Sequence, residues 1–243
     1  MSLQAEAQTL AQPGCRLLNS LGRSQGYDMK LVAISVGGPR AVQWRGRSVQ
    51  TSIFKTPVSH RVPVARSNIE GDQQSDLSVH GGPEKAVYAY PAEHYDFWRR
   101  ELPDAELAWG AFGENFTTEG LLEDDVWIGD RYRVGTAELV VTQPRMPCYK
   151  LAIRFGQTEM VKRFLQSRRS GFYLAVEREG EVGAGDAVER VGRNENRLTV
   201  AAVVTLYAAD SANQPLLQSA SAHPSLPAAW REYFRKRLWA PDA

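Results

Sequence analysis

From Met29 to Val191 the chain is mostly a succession of short apolar runs, each ended by Gly, Pro, Asn or Asp. Runs over 30–36, 49–55, 86–90, 112–118, 126–134, 137–142, 172–177 and 187–191 read as strands. Many short strands with irregular connections favour a β-barrel over a parallel βαβ array. Two segments carry a helical period instead. Pro91 suits a first helical position, and 93–101 puts Tyr95, Trp98 and Leu102 on one face. Thr158 reads as the N-cap of a second helix ending near Ser167, with Glu159 at its positive end and Met160, Val161, Phe164 and Leu165 as its buried stripe. These stripes are core. The expected class is mostly β with α.

After Arg193-Asn194-Glu195-Asn196 the composition changes. Residues 198–209 are Ala/Val-rich, and periodicity does not decide between helix and strand. Residues 213–217 read as a turn into a short helix, and Trp230, Tyr233, Phe234 and Leu238 fall on one face of a last helix over 226–238. Residues 1–28 differ again. Leu10, Leu17, Leu18 and Leu21 have helical spacing, broken by Pro13, Gly14, Gly22 and Gly26. Arg16 and Arg23 give this segment a faint transit-peptide character, but it reads first as an extension or an early-start artefact. The expected division is an extension over 1–28, a β-barrel domain over 29–193 and a helical appendix over 194–243.

The net charge of +1, from 29 basic and 28 acidic residues, supplies no field to draw the chain to nucleic acid or an anionic membrane. No apolar run approaches the ~18–20 residues of a membrane span. Cys15 and Cys148, the two cysteines, cannot form a disulfide framework or fill a four-cysteine cluster. A reducing cytoplasm is the expected compartment.

The chemistry concentrates at Val140-Val-Thr-Gln-Pro-Arg-Met-Pro-Cys-Tyr-Lys-Leu151. Pro144 and Pro147 end a strand and stiffen the backbone beyond it. Cys148 then stands between Arg145 and Lys150. Neighbouring cations favour the thiolate, the form that attacks carbon or binds a soft metal. The plain alternative is a buried core cysteine.

Together with Val79-His80-Gly81-Gly82-Pro83-Glu84-Lys85-Ala86-Val87 and Phe112-Gly113-Glu114-Asn115-Phe116, the segment Pro147-Cys148-Tyr149-Lys150-Leu151 resembles the MOSC domain, named for the C-terminal domain of molybdenum-cofactor sulfurase. The connecting sequence is most similar to the bacterial 6-N-hydroxylaminopurine reductases, with the mitochondrial amidoxime-reducing component as a more distant relative. The resemblance covers roughly 29–191. It implies a MOSC-type β-barrel with peripheral helices and a three-helix appendix.

It also implies the molybdenum cofactor, a pterin dithiolene bearing a phosphate, with Cys148 as catalytic residue and molybdenum ligand. Gly81 and Gly82 would form an anion-binding nest, or a plain tight turn. His80 and Lys85 flank that nest. Asn115 matches the family's asparagine that reads pterin or phosphate, unless it caps its own turn. Lys55 and Thr56 are similar to a Lys-Ser pair of the amidoxime-reducing relatives, although a strand-end lysine is often merely solvated. Arg145 would pair with phosphate or cap its loop. One departure is the absence near Gly113 of the cation those relatives carry. The implied reaction is two-electron reduction of a small N-hydroxylated base or related N–O compound to the amine and water, with a proton donor among His80, Glu114 and Tyr149.

No strand–Gly-x-Gly-x-x-Gly–helix unit is present, so electrons must come from a separate reductase. A homodimer is left open. The competing readings are a molybdenum-cofactor or sulfur carrier without turnover, and a cysteine hydrolase pairing Cys148 with His60, His80, His94 or His223.

Overall fold

The computed structural model describes residues 29–74, 81–208 and 213–239. In chain order these form β1 (Lys30–Val36), β2 (Arg40–Trp44), β3 (Arg47–Thr51), β4 (Thr56–Val58), β5 (Val62–Ala65), β6 (Asn68–Ile69), β7 (Val87–Pro91), α1 (Glu93–Glu101), β8 (Phe116–Glu119), β9 (Arg131–Val134), β10 (Ala137–Pro144), α2 (Tyr149–Phe155), α3 (Met160–Ser167), β11 (Phe172–Arg178), β12 (Gly180–Val182), β13 (Val188–Gly192), α4 (Val200–Ala208), α5 (Gln214–Ala222) and α6 (Ala228–Trp239). The mostly-β class with peripheral and C-terminal helices is what the sequence predicts.

Eight strands form one sheet in the order β13-β9-β10-β11-β7-β8-β1-β4, antiparallel except where β7 and β8 run parallel. Its two ends approach each other. Leu31 N donates to Asp186 O at 2.9 Å, Gly185 N to Leu31 O at 2.7 Å and Val188 N to Met29 O at 2.8 Å. The expected barrel is therefore a sheet whose ends meet at a short seam, with no continuous ladder joining β1 to β13.

β7 shows why the core has two parts. It is buried along its whole length, and its side chains alternate between faces. Val87 and Ala89 join the apolar interior with Leu139, Val141 and Phe172, whereas Tyr88 and Tyr90 point into an aromatic layer with Tyr95, Trp98, Phe112 and Phe164. Trp98 stacks on Phe164 at 5.7 Å between ring centroids, and its indole N–H donates to Tyr90 Oη at 2.7 Å, so the polar tips of these rings are paired inside the layer. This layer lies under the Cys148 segment.

Several local expectations are corrected. Pro91 ends β7, and the helix begins two residues later. Thr158 does not cap α3; its Oγ1 accepts from Arg45 at 3.0 Å. Of the run 49–55 only 49–51 is strand, the end of β3, with 52–55 connecting it to β4, and strand 112–118 begins only at Phe116. In the latter case Glu114, fully buried, accepts from Gly110 N at 2.8 Å and Phe112 N at 3.0 Å and holds residues 110–114 in a turn. The ambiguous 198–209 segment is helical from Val200, where Val200 N and Ala201 N donate to Val126 O and Glu123 O. Residues 1–28 lie outside the described residues.

The C-terminal helices continue the apolar interior. Val203, Val204 and Leu206 of α4, Leu217 and Ala220 of α5 and Phe234 of α6 pack in the same cluster as the strands. Asn213 caps α5 by accepting from Leu216 N at 3.1 Å. His223, at the end of α5, is 2% exposed, and neither ring nitrogen has a hydrogen-bond partner among the described residues. Burial therefore lowers its pKa from the ordinary imidazole value. A base depressed in the folded state gives stability that is present above the unfolded pKa of ~6.5 and is lost as pH falls, because the unfolded ring takes up a proton that the folded ring resists. Replacing His223 by Leu is expected to shrink the loss of unfolding free energy between pH 7 and pH 5, read from urea melts. An unchanged pH slope would show that the ring already reaches water.

Candidate functional site

β10 ends at Pro144 and the chain then crosses the aromatic layer. Arg145 N donates to Gly171 O at 3.3 Å, and the guanidinium, 5% exposed, lies 5.4 Å from the Tyr88 ring and 5.1 Å from that of Phe164. Its position over these faces is a cation–π arrangement that holds a buried charge in place. Pro147 comes next, and Cys148, half-buried with a free thiol, is extended at φ −126° and ψ 174° before α2 begins. α2 turns Lys150 inward, where it is 6% exposed. The sequence predicts only a stiff turn here; the helix that presents Lys150 is new.

Opposite stand the residues after the β2–β3 hairpin. Lys55 pairs with Asp72, both side chains buried, at 8% and 2% exposure. Asp72 also accepts from Gly37 N at 2.9 Å and from Asn115 Nδ2 at 3.0 Å. Burial pushes the Lys55 ammonium down from the usual lysine range, and Asp72 beside it works against that shift. The amide of Asn115 is used within the protein. Its oxygen accepts from Tyr88 N at 3.1 Å, and its nitrogen donates to Asp72 and, at 3.4 Å, to Ser35 O. The residue ties β1, β7 and the Asp72 turn together, which is neither a cap of its own turn nor an open amide.

Cys148, Lys55, Lys85, Asn115 and Arg145 line one cleft, together with Lys150, Ser52, Asp72, Tyr88 and Tyr173. Its empty space, open mouth included, is about 640 Å³. Four cations face a single carboxylate, Asp72, so the cleft favours an anion. Two buried polar atoms on its lining residues, Arg145 Nη1 and Ser52 Oγ, have no partner among the described residues. Such atoms are costly unless a ligand or water completes them.

The other candidates lie elsewhere. Thr56 opens β4 and lines a different hollow, with Glu101 and Arg154. Gly82, at φ +100°, precedes the 3-10 turn over Pro83–Lys85, and neither it nor Gly81 lines the cleft. Its conformation itself favours glycine. His80 lies outside the described residues. Glu114 is committed to the 110–114 turn, and Tyr95 Oη and Thr117 Oγ1 also donate to it, so it is not a free proton donor at the cleft. Tyr149 is 52% exposed beyond the rim. His60 is exposed, His94 Nε2 lies 2.8 Å from Glu123 Oε2, and none of His60, His94 and His223 lines the cleft. The described residues thus give Cys148 no histidine base.

Sequence reasoning misses Asp72, Ser52, Tyr88 and Tyr173. Asp72 sits in a Gly-Asp-Gln-Gln turn 17 residues from its lysine, and nothing local signals that pairing.

The model of the MOSC domain matches residues 76–189, and that of a YiiM-like three-α-helix domain matches 198–239. The uncharacterized protein YflK of Bacillus subtilis is 40% identical over 207 residues, covering 85% of this chain and 93% of YflK. The chain belongs to the YiiM-type MOSC proteins. The crystal structure of YiiM from Geobacillus stearothermophilus superposes with a TM-score of 0.73 at 38% identity, covering 86% of this MOSC chain and 99% of that one. A Gibberella moniliformis protein named reductase is 31% identical over 182 residues, 74% of this chain but only 32% of that protein. Membership of this family supports a function of the oxidoreductase kind, and MOSC domains are associated in general with the molybdenum cofactor.

The residues present fit that group. It needs a soft ligand, which the Cys148 thiol supplies. It carries a phosphate, for which the cationic cleft with an unpaired guanidinium nitrogen is suited. None of the described helices is long and apolar enough to cross a membrane.

Proposed function

We propose that the chain is a molybdenum-cofactor-dependent reductase of N-hydroxylated bases and related N–O compounds. The observation that carries this reading is the placing of a free thiol in a cationic cleft where Arg145 Nη1 and Ser52 Oγ have no hydrogen-bond partner among the described residues. The reaction balances as R–NHOH plus two electrons and two protons giving R–NH₂ and water. When bound, the cofactor supplies the two-electron redox couple, and a separate reductase replenishes it.

The chain's own residues do the rest. Cys148 Sγ holds the metal. Arg145, Lys85 and Lys150 hold the anionic end of the cofactor, and Ser52 Oγ offers it a hydrogen bond. Lys55 and Asp72 act as a fixed pair that sets the cleft wall, with Asn115 locking the carboxylate in place. Tyr88, buried, and Tyr173, half-buried, are raised in pKa by desolvation and stay protonated, so the wall beside Cys148 carries no anionic phenolate.

The test is turnover of an N-hydroxylated purine by protein from a cofactor-competent host, driven by reduced methyl viologen. The expected result is one amine formed per two electrons consumed. Bound molybdenum with no amine formed would leave the chain a carrier and overturn the reductase reading.

A further inference from the structure

The β2–β3 hairpin is a part of the described chain to which the cofactor reading gives no role. It forms a two-stranded sheet of its own, with no ladder to the other strands. Its register pairs Val42 with Val49 and Trp44 with Arg47. Side chains alternate along a strand and face each other across a pair, so Val42, Trp44, Arg47, Val49 and Thr51 share one face. On that face, which Arg40 opposite Thr51 also shares, Thr51 is buried, Val42, Trp44 and Val49 are half-buried and the two arginines exposed, whereas on the other face Ala41, Gln43, Ser48 and Gln50 are all exposed.

Thr51 lines the cleft that holds Cys148. Moving outward from it, Val49, Arg47 and Trp44, with Arg45 and Tyr149, line a second hollow. Thr51 and Val49 are two strand positions apart, and Cys148 and Tyr149 are consecutive, so each pair has one residue lining each hollow. From Thr51 to Arg47 the wall extends four strand steps, roughly 13 Å.

Two features mark the second hollow as more than a hairpin edge. Arg45 and Gly46 both have positive φ, 50° and 74°, as in a two-residue hairpin turn that Asn, Asp or Gly occupies with least strain. An arginine in the left-handed region is held there at a local cost. Its guanidinium is fixed by donating to Thr158 Oγ1 and lies 5.9 Å from the Trp44 ring. Across from the hairpin, Tyr149 keeps an aromatic ring in water directly after the cysteine.

Two aromatic side chains suit a flat π system, and two guanidinium groups suit a phosphate. We infer that this hollow receives the nucleotide form of the N-hydroxylated base, with the base between Trp44 and Tyr149, the phosphate at Arg45 and Arg47, and the N–O group turned inward to Cys148. The inference rests on the reductase reading for the reaction and on the hairpin face for the ligand.

The experiment has two arms, both with the full chain. In the first, AMP and adenine, which have no N–O bond to reduce, are titrated calorimetrically. AMP is expected to bind about tenfold more tightly than adenine, and Arg47→Ala to remove that advantage. Trp44→Ala should weaken both. Equal affinities, or variants that bind as the parent does, would overturn the hollow.

In the second arm the KM of N6-hydroxyadenosine monophosphate and of N6-hydroxyadenine is measured with reduced methyl viologen. Arg47→Ala should raise the KM of the nucleotide about tenfold and leave the kcat and the KM of the base unchanged. Nucleotide binding without any amine formed would sink the reductase reading alone. Turnover with the same KM for base and nucleotide would sink the hollow alone.

Discussion

Cys148→Ser is expected to abolish reduction of N-hydroxylated substrates while leaving the fold in place. The swap exchanges sulfur for oxygen at the residue before α2 and removes no methylene, so no cavity is left. A hydroxyl is a far poorer ligand for a soft metal than a thiolate at neutral pH. The proposed cofactor contacts through Arg145, Lys85, Lys150 and Ser52 would be untouched, so on this proposal cofactor stays bound in an inactive protein. Amine formation with reduced methyl viologen should fall to background, and the urea midpoint should stay within the error of the parent. If Cys148 were only a packing residue, the folded variant would keep normal specific activity.

Asp72→Ala is expected to destabilise the protein by about 3–5 kcal/mol, because it leaves the buried Lys55 ammonium without its counter-charge. The same substitution strips Gly37 N and one Asn115 amide proton of their acceptor. Burial, which already lowers the Lys55 pKa against the pull of Asp72, would then act with less opposition, and the lysine would tend to lose its charge. Asp72→Asn keeps an oxygen for one of these donors and should lose less. Urea unfolding of the three proteins checks the order. A loss below about 1 kcal/mol for Asp72→Ala would show that water screens the pair.

These two residues also show what a sequence can and cannot disclose. Cys148 is legible because its neighbours are local: two prolines, an arginine and a lysine within a few positions, read together with two glycine-containing motifs. The strands over 30–36 and 172–177 are legible for a similar reason, since burial on the pleat writes itself into the chain. Asp72 is silent because its partners come from 17 residues upstream and 43 downstream, and only the folded sheet joins them.

The β2–β3 hairpin is half legible. Residues 49–55 look like a strand, but the turn at Arg45-Gly46 hides behind an arginine where hairpin chemistry prefers Asn or Asp. The helix after Cys148 is hidden by its length, seven residues, too short for a period to show. In the C-terminal region the apolar content of 198–209 masks the distinction between helix and strand until Val126 and Glu123 supply the carbonyls that start α4.

Ligation of molybdenum by Cys148 Sγ is the step on which the proposed reduction depends. The most direct measurement is X-ray absorption at the molybdenum edge, on the parent and on Cys148→Ser, both loaded in a cofactor-competent host. The sulfur shell around the metal is expected to lose one scatterer in the variant and gain an oxygen or nitrogen in its place. The same sulfur shell in both proteins would contradict it.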